Sequence, residues 1–190
     1  DSPIPKFFAF LSARYAVRRD RWRDVAIEVF YHPGHEYNLE RMVDAIKKTL
    51  QYMTDNIAPY QHRQVRIVEF PRYARLAVSF PNTIPFSESI GFIARLKDKN
   101  AIDYPFYVTA HEVAHQWFGY QVLGADVQGA AMLSESMAQY PAVMVLQREY
   151  GPEKIRRFMR HELDRYLSGR GGELIAEQPL ELVEDQAYIH

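Results

Sequence analysis

Thr109-Ala110-His111-Glu112-Val113-Ala114-His115-Gln116-Trp117 carries two histidines four residues apart with a glutamate directly after the first. Wound as a helix, the stretch puts His111 and His115 on one face with Cβ atoms roughly 5–6 Å apart. Both imidazoles then reach a single ion at about 2.0–2.1 Å. Glu112 sits about 100° further round the same helix, placed to touch a water on the metal rather than the metal itself. Thr109, Ala110, Val113 and Ala114 are small and uncharged, which suits a buried helix that must bring no competing charge. The three fixed letters alone would arise in roughly two shuffled chains per hundred. The rest of the chain therefore has to decide against a core helix that carries two polar histidines.

A catalytic zinc site takes three protein ligands and keeps one position for water, so two histidines call for a third ligand from elsewhere. Glu135, in Met132-Leu133-Ser134-Glu135-Ser136-Met137-Ala138-Gln139-Tyr140, is the only acid between Asp126 and Glu149. A carboxylate on so apolar a helix is costly to bury without a partner, and a metal ion would supply one; the alternative puts Glu135 on a solvated face. Gln139, one turn on, either hydrogen-bonds a ligand from the second layer or faces solvent.

The 190 residues are 47% hydrophobic and 25% charged with a formal charge of −1, an ordinary globular composition. Such a balance leaves no electrostatic footprint for nucleic acid or for an anionic membrane surface. Cysteine is absent, which removes disulfides and thiolate metal sites and leaves His and carboxylate as the ligand types. No run approaches the roughly eighteen apolar residues of a membrane span, so no direct membrane insertion is expected of this chain. The start, Asp1-Ser2-Pro3-Ile4-Pro5, lacks an initiator methionine and a basic region leading into an apolar one, and reads as a piece of a longer protein.

The flanking sequence predicts an α+β unit. Residues 7–23 are aromatic, then strongly basic, and read as a solvated edge or an inter-domain contact. Val25-Ala26-Ile27-Glu28-Val29-Phe30-Tyr31 reads as a strand ending at the turn Pro33-Gly34. His32 and His35 flank that turn, where proline and glycine forbid a helical His pair, and both read as surface residues. An amphipathic helix follows from Asn38 to before Pro59, then strands at residues 65–70 and 76–80 and an extended stretch at 85–93. Beyond Pro105 helices dominate: the motif helix at 105–118, a connection at 119–129, a helix at 130–150 with a kink expected at Pro141, and a third helix at 154–167 set off by Gly151-Pro152. One catalytic domain over residues 1–190 is expected, with a small mixed-sheet lobe at about 24–104 and a helical lobe at about 105–170, truncated in its C-terminal part.

His111-Glu112-Val113-Ala114-His115-Gln116-Trp117-Phe118-Gly119, followed by Leu133-Ser134-Glu135-Ser136-Met137-Ala138-Gln139-Tyr140, resembles the zinc aminopeptidases of the aminopeptidase N type, a gluzincin family. The gap between His115 and Glu135, residues 116–134, is one residue longer than the family's usual spacing. Ala58-Pro59-Tyr60 resembles the family's Tyr-Pro lead-in. Ser87-Glu88-Ser89-Ile90-Gly91 resembles the second half of its Gly-Ala-Met-Glu-Asn-Trp-Gly signature, with Pro85-Phe86-Ser87 in place of Gly-Ala-Met and Ser89 in place of Asn. The resemblance covers residues 25–150, and the wording of 81–157 is most similar to peptidase domains of bacterial permease-fused membrane proteins.

The resemblance implies a thermolysin-like fold and a Zn2+ ion on His111, His115 and Glu135. It further implies a general base at Glu112, a substrate-binding role for Glu88 at the free α-amine, and a peptide as partner. It implies a parent chain that is membrane-associated through regions outside this one. The family's oxyanion-stabilising tyrosine stands in a Tyr-x-Lys-Gly stretch. No tyrosine here is followed by Lys-Gly, so that residue is expected beyond His190, and Tyr188 is a poor substitute. Two other readings share the metal: a zinc endopeptidase without an amine site, and a catalytically silent zinc-binding module of a membrane assembly.

Overall fold

Val25, Ile27 and Val29 alternate inward along one strand, Val65 and Ile67 along a second, and Ile84 and Phe86 along a third, all almost fully buried. The computed structural model describes residues 10–96, 101–171 and 176–182, and in it these runs form β2 (Val25–Tyr31), β3 (Gln64–Phe70) and β4 (Thr83–Ser87). The sheet order is β1-β2-β3-β4, with β1 being Ala16–Trp22. β2 pairs parallel to β3 and β3 parallel to β4, while β1 runs antiparallel to β2, from Ala16↔Tyr31 to Trp22↔Val25. The mixed sheet and its covering helices make the architecture α+β.

A parallel pair needs a crossover, and α1 (Leu39–Asn56) supplies it between β2 and β3. Its buried stripe, Met42, Val43, Ile46, Leu50 and Met53, recurs at helical spacing. α1 packs in turn against α2 (Tyr104–Ala114), which packs against α3 (Met137–Arg170). One hydrophobic core runs through both halves of the chain, from Val25 on β2 to Phe158 on α3. Buried polar side chains tie the layers. Asn38, just ahead of α1, donates its amide to the carbonyls of Gly91 at 2.7 Å and Ala94 at 2.9 Å, holding the turn that follows β4. Gly91 is needed there, since a Cβ would stand 2.6 Å from the Phe86 ring.

Three expectations are corrected. The basic stretch is not only an edge: its second part is strand β1, whose arginines pair with acids, Arg18 with Glu40 at 2.6 Å and Arg19 with Glu28 at 3.3 Å. Charge on an edge strand blocks pairing with another chain and also hides the alternation by which strands are recognised. Residues 76–80 form isolated bridges, Ala77↔Phe86 and Phe80↔Thr83, rather than a strand. Pro141 continues α3 with helical torsions, and the break falls at Gly151, with φ of 79°. Proline's own φ is helical and what it removes is one bond to the carbonyl four residues back; the irregularity lies upstream, in a wider π turn at Met132–Ser136. Gly151-Pro152 separates the last helix as expected. Among the described residues no helix is long and apolar enough to cross a membrane.

Candidate metal centre

Asp103 starts the motif helix: its carboxylate accepts from the backbone N–H of Phe106 at 3.0 Å, and Pro105 occupies the first turn, where a missing N–H costs nothing. The same carboxylate pairs with Arg41 of α1 and accepts from the Tyr150 hydroxyl of α3 at 2.6 Å, fixing α2 between its neighbours. The helix runs to Ala114 and closes in tight turns through Phe118, so it is shorter than the expected 105–118. At this closing end stand His111 and His115, their rings 4.6 Å apart and nearly perpendicular at 83°.

His111 Nε2 and His115 Nε2 lie 3.1 Å apart, and Glu135 Oε2 lies 3.4 Å from each. Three ligands of a tetrahedral ion with bonds of about 2.0–2.1 Å have to be about 3.3–3.4 Å apart, so the triangle is the size that one zinc ion requires. The donor set of two imidazole nitrogens and one carboxylate oxygen also suits zinc. His115 Nδ1 lies 3.1 Å from the Phe118 carbonyl; an Nδ1–H donating there leaves the Nε2 lone pair facing the triangle. The Nδ1 of His111 is buried without a hydrogen-bond partner.

Glu135 reaches α2 because it stands in the π turn Met132–Ser136, a wider winding that occurs often at functional positions. Its hydrogen bonds to His111 and His115 hold its carboxyl well below the usual carboxylate range against the opposing effect of burial. At His115 burial works against charge, yet the carboxylates of Glu135 and Glu112 together raise its pKa. Glu112 is 5% exposed. It is outside the three-residue group, but its charge adds to burial in raising the Tyr120 pKa and helps to raise that of His115. Gln139 stands beside Tyr107, one helical turn before His111, where it works against the rise that burial causes in the Tyr107 pKa.

Glu88 follows β4, its backbone N–H bonded to the Phe70 carbonyl at 2.9 Å. The structure groups it with two residues that sequence reasoning missed: His35, Glu69 and Glu88 bring ligand-type atoms within 4.8 Å of one another. His35 is therefore not the surface residue expected; its Nδ1 lies 2.5 Å from Glu69 Oε1. The signal was in the strand pattern, because Glu69 shares the inward parity of Val65 and Ile67, and a carboxylate pointing inward needs a partner. Gln116 was also missed. Wholly buried, it donates to Ser79 Oγ at 2.6 Å and the Phe80 carbonyl at 2.9 Å and accepts from the Asn82 N–H at 2.7 Å. Tyr188 lies outside the described residues.

No curated protein matches the chain. A family model does: the one described as the peptidase family M1 domain matches residues 39–171, from the start of α1 through the whole metal triangle to the end of α3. That span holds the two histidines, the glutamate between them and the carboxylate that completes the triangle, and the chain belongs to peptidase family M1, which implies zinc metallopeptidase activity.

Proposed function

We propose that this protein is an aminopeptidase: a zinc metallopeptidase that removes N-terminal residues from peptides, built on a thermolysin-like plan and carried by a membrane-embedded, permease-containing parent. The observation that carries the reading is the triangle of His111, His115 and Glu135, with sides of 3.1, 3.4 and 3.4 Å and buried Glu112 at its border. His111, His115 and Glu135 would hold a zinc ion, which would polarise the scissile carbonyl and bring the pKa of a water down to about 7.

The side chains divide the remaining work. His111 and His115 would hold the ion through their Nε2 atoms, and Glu135 stays ionised beside them. Glu112 accepts the proton of the attacking water and returns it to the departing amine, one group serving as base and then as acid. Glu88, with its carboxylate 18% exposed, binds the substrate's α-ammonium and so limits cleavage to the first peptide bond.

The test uses Glu112→Gln and Glu88→Gln on free and N-acetylated peptides. Glu112→Gln is expected to keep zinc while turnover falls by roughly 10²–10⁴-fold; near-wild-type turnover would remove Glu112 as the base. Glu88→Gln is expected to lower turnover of free peptides only. Equal loss on both substrates, or equal cleavage of both by the unaltered protein, replaces the aminopeptidase reading with an endopeptidase.

A further inference from the structure

β2, β3 and β4 run parallel, so their carboxyl ends lie side by side at one rim of the sheet. Each end delivers one member of a second polar group. His35 follows β2, Glu69 is the penultimate residue of β3, and Glu88 directly follows β4. Glu69 is 3% exposed and held from two sides: its Oε2 accepts from the His32 backbone N–H and its Oε1 faces His35 Nδ1, each at 2.5 Å. A buried carboxylate pinned by main chain fixes the imidazole that bonds it. The His35 ring also rests on that of His32, with centroids 5.3 Å apart.

Beside this fixed pair, Glu88 is held loosely. Its Oε2 is 3.9 Å from His35 Nδ1 and its Oε1 is 3.7 Å from Arg72 Nε, both beyond hydrogen-bond length. The guanidinium side chain is largely exposed. The Glu69 carboxylate is taken up by His35 and the His32 N–H, while that of Glu88 meets its neighbours only at 3.7–3.9 Å and is left to receive an incoming cation. A metal ion is the poorer occupant: ligand atoms on a shared ion stand about 3 Å or more apart, whereas 2.5 Å between His35 and Glu69 is the length of a hydrogen bond.

We infer that His35 and Glu69 are positioning residues of the amine subsite: Glu69 locks His35, and His35 walls the Glu88 carboxylate into the place where it receives a substrate ammonium. The inference rests on the reading of Glu88 as the amine anchor. It adds that discrimination for a free N-terminus belongs to three strand ends rather than to one glutamate.

The experiment titrates the zinc-loaded chain, in a Glu112→Gln background so that the peptide survives, with Ala-Ala-Ala and N-acetyl-Ala-Ala-Ala by calorimetry. The parent is expected to prefer the free peptide, and a further Glu88→Gln change to abolish the preference. His35→Leu and Glu69→Gln are each expected to cut the preference about tenfold while zinc content and the affinity for the acetylated peptide stay unchanged. His35→Asn, whose amide nitrogen takes the place of Nδ1, is expected to restore most of it, a rescue that a merely space-filling role would not show. If Glu88→Gln loses the preference while His35→Leu and Glu69→Gln keep it, this inference fails and the amine reading stands. If Glu88→Gln keeps the preference, or the parent has none, the amine reading fails and takes the inference with it. Should His35→Leu not fold, Glu69→Gln and His35→Asn decide by the same ratio.

Discussion

Replacing Gln116 with methionine tests how the metal helix is joined to the rest of the fold. The two side chains are close in volume, so no large cavity opens and the change isolates three hydrogen bonds in a fully buried position. The Asn82 N–H loses its acceptor and Ser79 Oγ its donor. The Phe80 carbonyl loses one of two donors, because Thr83 N–H still reaches it at 3.0 Å. An unpaired buried polar group costs about 1–3 kcal/mol. Charging Asn82 and Ser79 about 1.5 kcal/mol each and Phe80 little gives about 3 kcal/mol. Burying a thioether in place of an amide returns about 1 kcal/mol, leaving a net loss of about 2 kcal/mol. Urea denaturation of the zinc-loaded protein reads this directly, and the thermal midpoint should fall by about 4–8 °C for a chain of this size. In the Gln116→Met background Ser79→Ala should cost far less than in the parent, since its partner has gone. A loss under about 0.5 kcal/mol in Gln116→Met, or full additivity with Ser79→Ala, would refute the account of Gln116 as the tie between α2 and the loop that feeds β4.

Three further outcomes are expected. Glu135→Ala should weaken zinc by more than the roughly 10–100-fold that loss of an outer partner costs, and full zinc occupancy by metal analysis at micromolar protein would contradict a ligand role. Asp103→Ala removes a helix cap worth about 1 kcal/mol and strips Arg41 of its partner. With Arg41 partly exposed, the sum is about 3 kcal/mol by chemical denaturation, and a change under about 1 kcal/mol would contradict it. Burial lowers the pKa of His62, so the unfolded chain binds its proton more readily. Stability should fall as pH drops from about 6.5 through the lowered folded value, and His62→Phe should flatten that slope; an unchanged slope would show that His62 does not set it.

The histidine pair was legible because its spacing is local and obeys the helical period. Glu135 was legible for a different reason, as a lone acid in an apolar stretch, yet the way it reaches α2 was not. A pattern that counts 3.6 residues per turn cannot announce a π turn at Met132–Ser136. The same limit explains β1. Arg18 and Arg19 stand where alternation would show, and the acids they reach across to, Glu40 and Glu28, belong to α1 and β2. His35 was not legible because the turn rules out only a helical pairing with His32, while its actual partner, Glu69, is 34 residues away.

What the sequence hid is of one kind: buried polar contacts between distant segments that set the attitude of the site-bearing elements. Asp103 joins α2 to α1 and α3, Gln116 joins it to the loop before β4, the Trp117 indole donates to the Ala58 carbonyl at 2.8 Å, and Asn38 secures the turn after Glu88. None of these groups belongs to the metal triangle, yet those of Asp103, Gln116 and Trp117 together hold both ends of the segment that bears His111 and His115. Two imidazole nitrogens 3.1 Å apart with a carboxylate oxygen at 3.4 Å from each are held converging by contacts remote from them, which is what a preorganised site requires. Loosening the ties should therefore weaken zinc binding through ligand geometry even where every ligand is present, and Gln116→Met and Asp103→Ala offer independent routes to that effect.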